Sequence, residues 1–123
     1  MTAVSKIEEV DAPPLVPAAP AIDLDHLRRM TLGERSLERE VLALFDRQSA
    51  MLFARMDGPD PGVIGAAAHT LKGSARGIGA WGVARAAEVL EQAGPAQRPA
   101  SIRALGSAIA EARMAIAELL RTA

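Results

Sequence analysis

Apolar residues recur at steps of three and four through four long segments of the chain, the spacing that gives a helix one apolar face. These segments cover residues 34–56, 61–77, 80–93 and 99–121, with a Gly-Pro sequence after the first and the third and Gly79 after the second. The expected inward positions are Leu37, Val41, Leu44, Phe45, Gln48, Leu52 and Met56; Ile64, Ala67 or Ala68, Leu71, Ala75 and Ile78; Val83, Ala87 and Leu90; Ile102, Leu105, Ile109, Ala112, Ile116 and Leu119. Four such stripes with short connections predict an all-α fold, an antiparallel up-down four-helix bundle.

A short extra helix is expected before the bundle. Asp23 can cap a helix that ends near Gly33, because an aspartate side chain accepts hydrogen bonds from the first free backbone N–H groups of a helix. Residues 1–21 instead contain four prolines among alanines, which disfavour a helix and leave little to bury. We therefore predict a flexible N-terminal arm at 1–21 and one bundle domain at 22–123.

Composition and charge exclude several classes of protein. The chain has 123 residues, a formal net charge of −1, no cysteine and 2% aromatic residues. The charge argues against a nucleic-acid binder or a polybasic membrane anchor, and no apolar run approaches the ~18 residues of a membrane span. The absence of cysteine excludes disulfides and thiolate chemistry and suits a reducing compartment, so we expect a cytoplasmic protein.

One predicted helix face, around residues 69–80, combines a histidine, two cations and several small residues. At ~100° per residue, Lys72, Gly73 and Arg76 lie within about 60° of His69. Small residues share this face: Gly62, Gly65 and Ala66. Interior glycines cost a helix up to ~1 kcal/mol each relative to alanine, so we expect a partner to approach this face closely. The candidate partner contacts are Gly65, Ala66, Gly73 and Arg76.

The candidate chemistry of this face is phosphoryl transfer. Histidine is partly unprotonated near neutral pH, so an exposed imidazole nitrogen can attack phosphorus. The ammonium of Lys72, one turn beyond His69, can offset part of the charge of roughly −2 that phosphorylation adds. Arg76 can extend the same positive field toward an acidic partner.

The run from His69 to Ala80 resembles the signature of the histidine-containing phosphotransfer (HPt) domain. Each position of that signature is matched, by His69, Leu71, Lys72, Gly73, Ser74, Ala75, Ile78, Gly79 and Ala80. Leu90 and Glu91 fall where the family often has Leu-Glu on the next helix. The resemblance covers the chain from about residue 22 to its end.

The resemblance implies a phosphorelay carrier rather than an enzyme with its own kinase activity. His69 would be the phospho-acceptor, Lys72 the charge-stabilising partner, and Gly73 the clearance beside the imidazole. The expected partners are response-regulator receiver domains and a hybrid histidine kinase, and the chain is expected to be a monomer. The resemblance implies no cofactor of its own, because the receiver supplies Mg²⁺.

Other interpretations remain open at this point. A phosphate-independent interaction module that binds and inhibits a receiver or kinase is the main alternative.

A metal site formed by both histidines would need further ligands, so no metal site is predicted, and His26 is expected on the surface. Trp81 is expected to be a packing anchor between helices, and Ser74 a small packing residue. Gly77 leaves open whether the motif helix ends early.

Overall fold

A computed structural model describes residues 20–122 of the chain, and all its regular structure there is helical. The short helix α1 precedes four longer helices, α2 to α5, and a 3₁₀ turn follows α2 directly. The bounds are α1, Leu24–Met30; α2, Arg35–Ala54; the 3₁₀ turn, Arg55–Asp57; α3, Pro61–Ile78; α4, Trp81–Gln92; α5, Arg98–Arg121. The predicted helices are confirmed. The ends of the four long helices lie within two residues of the expected ones, and α1 ends at Met30, three residues before Gly33.

The four long helices form a bundle in which each helix packs against its neighbours in the chain and α5 returns to pack against α2. In the α2–α5 pair, Asp46 binds Arg113 at 2.8 Å, and a methyl group on Gly106 would lie 2.8 Å from Phe53 Cζ. From the first contact to the second, the residue number rises from 46 to 53 on α2 and falls from 113 to 106 on α5. The two helices therefore run antiparallel.

Aliphatic and alanine side chains fill the core. Its buried members include Leu42, Phe45, Leu52, Ile64, Ala68, Leu71, Ala75, Val83, Ala87, Leu90, Leu105, Ile109, Ala112 and Ile116. The inward positions predicted for α3 and α4 are confirmed, and those of α5 are confirmed except that Ile102 and Leu119 are only partly buried. Small alanines let the helices approach closely, and the aliphatic side chains fill the space between them.

The predicted stripe of α2 is rotated relative to the observed one. Glu38, Leu42 and Ser49 are buried, whereas Leu44 is 55% exposed and Gln48 only partly buried. Apolar residues occur on two adjacent sides of α2, and the periodicity cannot tell which side faces the other helices. One side packs in the core, while the other borders an open groove beside α3.

The motif helix α3 continues through Gly77 and ends at Ile78, so Gly77 does not end it early. Asp60 caps its start through a hydrogen bond from the backbone N–H of Gly62. Gly79 ends it in the left-handed conformation with a φ of 82°, a conformation that glycine adopts without steric cost. Because this turn is tight, α4 begins only two residues after Gly79, and the turn sets the position of α4 beside α3.

Gly79→Ala is expected to destabilise the fold by about 2–3 kcal/mol, because a β-carbon is strained at this φ. That carbon would also lie 2.9 Å from the carbonyl oxygen of Asp23. Urea unfolding followed by circular dichroism measures the change. Gly82→Ala is the control, since its β-carbon meets no atom within 4 Å among the described residues, and it should unfold at the wild-type midpoint or above. Equal midpoints for Gly79→Ala and wild type would contradict this account of the turn.

Helix α1 lies against the end of α3, and its start is held by several hydrogen bonds. Asp23 accepts one from the backbone N–H of His26, as predicted for the cap, and its own N–H donates to the carbonyl of Gly79 at 2.9 Å. Of the predicted N-terminal arm, residues 1–19 lie outside the described part of the chain. Among residues 20–122, no helix is both long and apolar enough to span a membrane.

Candidate functional site

His69 lies on the exposed side of α3, where 70% of its side chain is accessible to solvent. Leu71, nearly opposite on the helix, is completely buried and anchors this part of α3 in the core. The imidazole Nδ1 atom lies 2.7 Å from Oε2 of Glu91 on α4. Since a carboxylate can only accept, Nδ1 carries the proton in this hydrogen bond. In the neutral ring, the second nitrogen, Nε2, is therefore the atom with a free lone pair.

Glu91 also binds Lys72, and so connects the two residues that the motif places one turn apart. Its second oxygen, Oε1, is shielded from solvent and lies 2.8 Å from Lys72 Nζ. Only 16% of the Lys72 side chain is accessible. Lys72 and His69, in that order of effect, hold the pKa of the Glu91 carboxyl below its usual range. The group is therefore ionised at neutral pH, with a negative charge behind the imidazole.

The packing of α4 adds contacts that the helix face alone does not show. His69 is exposed as predicted, and the antiparallel packing of α3 and α4 brings Glu91 beside it. Glu91 also holds the ammonium group of Lys72. Glu91 is the residue of this candidate site that sequence reasoning missed. The one available signal was its place in the Leu-Glu pair of the family pattern, which assigned it no contact.

The remaining predicted site residues lie on the same face of α3 as His69, within two turns of it. Gly73 and Ala66 are exposed and Gly65 is partly buried. A β-carbon on Gly65 or Gly73 would meet no atom within 4 Å among the described residues, so packing within this part of the fold does not demand glycine there. Arg76 is exposed and pairs with Glu88 of α4 at 3.4 Å.

The surroundings of His69 differ on its two sides. Toward α4 they are charged, with the pairs Lys72–Glu91 and Arg76–Glu88. On the side of α2, Arg55 lines a shallow hollow with Ala66 and Thr70, and an open apolar groove runs between α2 and the end of α3. Its lining comes from α1, α2, the segment after α1 and α3: Leu27, Met30, Thr31, Leu37, Val41, Leu44, Phe45, Gln48, Ser74, Gly77 and Ile78. Five of the seven residues of the predicted α2 stripe thus line this groove, whereas Leu52 and Met56 are buried in the core; Ser74 lines it too.

His26 is half-buried rather than on the surface as expected. Its Nε2 atom lies 2.9 Å from the carbonyl oxygen of Arg76, and its ring is tilted against Trp81 with centroids 4.8 Å apart. The Trp81 indole N–H donates to the Asp23 carboxylate at 2.9 Å, so Trp81 joins α4 to α1 as a packing anchor. This bond, with the His26 backbone N–H, holds the pKa of Asp23 below its usual range.

The two histidines take part in different interactions and do not form a common metal site. His26 is engaged with the backbone of α3, whereas His69 faces solvent beside α4. Between residues 20 and 122, no cluster of three or more histidine, cysteine or acidic side chains is arranged to hold a metal ion.

Comparisons with known proteins agree with this arrangement. The model of a family described as the Hpt domain matches residues 35–122. A crystal structure of histidine phosphotransferase ShpA from Caulobacter crescentus is similar, with 32% sequence identity and a TM-score of 0.70. The match covers 83% of this chain and 92% of that one. The search of curated proteins finds no match.

Proposed function

This chain belongs to the Hpt domain family, and we propose that it takes a phosphoryl group from a receiver aspartate or a partner kinase and passes it to another receiver. Hpt domain proteins carry phosphoryl groups on a histidine and interact with receiver domains and kinases. The observation that carries the proposal is the exposed His69 imidazole, whose Nδ1 is engaged by Glu91 so that Nε2 has the free lone pair.

In the proposed reaction, the Nε2 lone pair of His69 attacks phosphorus and an N–P bond forms. The bond between phosphorus and the receiver aspartate oxygen breaks, and the aspartate leaves as a carboxylate. Transfer to the next receiver reverses these steps. The N–P bond of the phosphoramidate is labile enough for its phosphoryl group to pass to a carboxylate.

Lys72 is proposed to stabilise the phosphoryl group through its charge. Glu91 holds the ammonium group on the same side of the helix face as the imidazole. A lysine in this place is a compact positive charge that can turn toward the phosphoryl oxygens. Mg²⁺ is proposed to come from the receiver, so the carrier itself contributes the histidine and this cation.

We propose that the apolar groove beside α2 receives an apolar element of the receiver. Ser74 and Gly77, which line the groove, lie one to two turns beyond His69 on α3, so one partner surface can cover both the groove and the His69 face. The exposed glycines and Ala66 leave room for the aspartate pocket above His69, and Arg76 can contact acidic residues at its edge. The partner is therefore oriented with its apolar part over α2 and its acidic part near Arg76.

Leu44→Gln tests this orientation. Leu44 is 55% exposed in the free protein, and its burial by a receiver would contribute about 1–2 kcal/mol. We expect receiver affinity to fall about tenfold, with an unfolding midpoint close to that of the wild type. Isothermal titration calorimetry with a cognate receiver measures the affinity. Met114→Gln is the control, because Met114 is 73% exposed on α5, across the bundle from α3; equal losses in both variants would contradict a docking site at α2.

The direct experiment on the function is to incubate the protein with a ³²P-phosphorylated receiver and Mg²⁺. We expect label on this chain that is labile in acid and stable in alkali, as a phosphohistidine is, and a modified peptide that contains His69. The chain has two histidines, so peptide mapping assigns the label without ambiguity. If the receiver binds but no label moves, the alternative of a phosphate-independent interaction module is correct.

A further inference from the structure

We propose that Arg55 and the hollow beside it form a second docking point for the receiver, one that takes an acidic side chain of that partner. The hollow lies between the end of α2 and the N-terminal half of α3, and its volume is about 210 Å³. Its lining residues are Leu52, Arg55, Val63, Ala66, Ala67 and Thr70. The inference rests on the proposed function and adds a residue that selects between receivers.

The hollow lies directly beside His69. Ala66 precedes His69 by about one turn of α3 and Thr70 follows it, so a partner that brings a carboxylate to Nε2 also covers this wall of the hollow. The apolar groove borders α3 farther along, up to Ile78. From Val63 to Ile78 the helix extends about 22 Å, at ~1.5 Å per residue. A typical interface covers about 800 Å² of each partner, a square of about 28 Å, so one receiver can occupy both places.

Arg55 is the positive charge at this face that remains available to a partner. Lys72 and Arg76 each lie against a carboxylate of α4, whereas no acidic side chain among residues 20–122 forms an ion pair with Arg55. Asp57, two residues farther on, lines two other hollows. The Arg55 side chain is exposed, and its Nη2 atom lies 3.9 Å from the sulfur of Met51, a weak acceptor. An arginine in this state can bind a carboxylate through two parallel N–H bonds.

Exposed apolar side chains flank this guanidinium. Met51 of α2 is 50% exposed and Val63 of α3 is 46% exposed. Methionine and arginine are enriched where proteins bind one another, which favours a protein partner here. The volume of the hollow is below the ~300 Å³ at which small-molecule sites begin, so the hollow accommodates one side chain rather than a free metabolite. Charge complementarity makes that side chain an aspartate or a glutamate.

Arg55→Glu reverses the charge at the hollow, and Arg103→Glu is the matched control. Arg103 is exposed on α5, across the bundle from α3, and has no ion pair within the described part of the chain. Both variants change the net charge by the same amount. The probe is the receiver that binds the wild-type protein most tightly, and isothermal titration calorimetry measures its Kd at about 50 mM and about 300 mM salt.

We expect Arg55→Glu to weaken receiver binding at least about tenfold at the lower salt concentration, and by a smaller factor at the higher one, because salt screens exposed charges. Arg103→Glu should bind within about twofold of the wild type. Arg55→Gln, which removes the charge without reversing it, should lose about threefold and show a weaker dependence on salt. Thermal unfolding midpoints close to that of the wild type show that the variants are folded.

A compensating change in the receiver identifies the acidic side chain. Each exposed aspartate and glutamate around the phosphorylation site of the receiver is replaced in turn by lysine. We expect one of these lysine variants to bind Arg55→Glu more tightly than the unaltered receiver does, and to bind the wild-type chain less tightly. A loss of affinity that came only from a disturbed fold at the end of α2 would not be restored in this way.

The inference is overturned if Arg55→Glu binds the receiver as tightly as the wild type does. It is also overturned if Arg103→Glu loses affinity by the same factor, since only the net charge would then matter, or if no lysine variant of the receiver restores binding. Failure of the proposed function has a different outcome, because the receiver would then bind the wild-type chain without exchanging ³²P with it, and the affinities of the variants would still be compared.

Discussion

His69→Gln is expected to abolish phosphoryl acceptance and leave the bundle folded. A glutamine amide has no nucleophilic nitrogen lone pair, so no phosphoramidate can form at this position. The cost in stability is small because 70% of the His69 side chain is exposed and its contact with Glu91 is near the surface, where such pairs contribute about 0–1 kcal/mol. Transfer of ³²P from a phosphorylated receiver and thermal unfolding measure the two effects.

His26→Gln is the matched control for this variant. It removes the chain's other histidine, which hydrogen-bonds the backbone of α3 and contacts Trp81, so it is expected to lower the unfolding midpoint and still accept label. The pair of variants thus separates the reactive histidine from the structural one. Acid-labile phosphate on the His69→Gln protein, or its loss only in His26→Gln, would show that His69 is not the acceptor.

The helices and most of the core could be predicted from the sequence because periodicity and capping residues are local signals. Asp23, Asp60 and Gly79 end or start helices through bonds to residues a few positions away. The rotation of α2 could not be predicted in the same way. Its apolar residues cover more than one side, and the choice between Leu44 and Leu42 as the inward leucine depends on where α3 and α5 lie.

The site could be predicted as far as its residues share one helix. His69, Lys72 and Gly73 lie on the expected face of α3, because a helix fixes the angles between its own residues. Glu91 is 22 residues from His69, and its contact depends on how α4 packs against α3. The tight turn at Gly79 determines that packing. Residue spacing within a single helix cannot predict how two helices pack. Sequence reasoning therefore found the candidate nucleophile and missed the carboxylate behind it.

Gly73→Gln is expected to stabilise the protein and impair its function. Glutamine is the better helix former, so the unfolding free energy should rise by up to ~1 kcal/mol, and the structure offers room because a β-carbon there meets no atom within 4 Å among the described residues. The new side chain would stand within about 40° of His69 on the same face. A receiver must bring its aspartate to Nε2 across that space, so we expect binding and transfer to fall at least about tenfold.

Gly82→Gln separates the two effects, since it also adds a side chain at a helical glycine with open space around it. Gly82 lies in the first turn of α4 and lines a different hollow, with Asp23 and Trp81, so this variant should keep the wild-type transfer rate. Urea unfolding and the rate of ³²P transfer from one receiver are compared for both variants. A Gly73→Gln protein that transfers at the wild-type rate would show that no partner needs the clearance beside His69, and its glycine would then have no functional explanation.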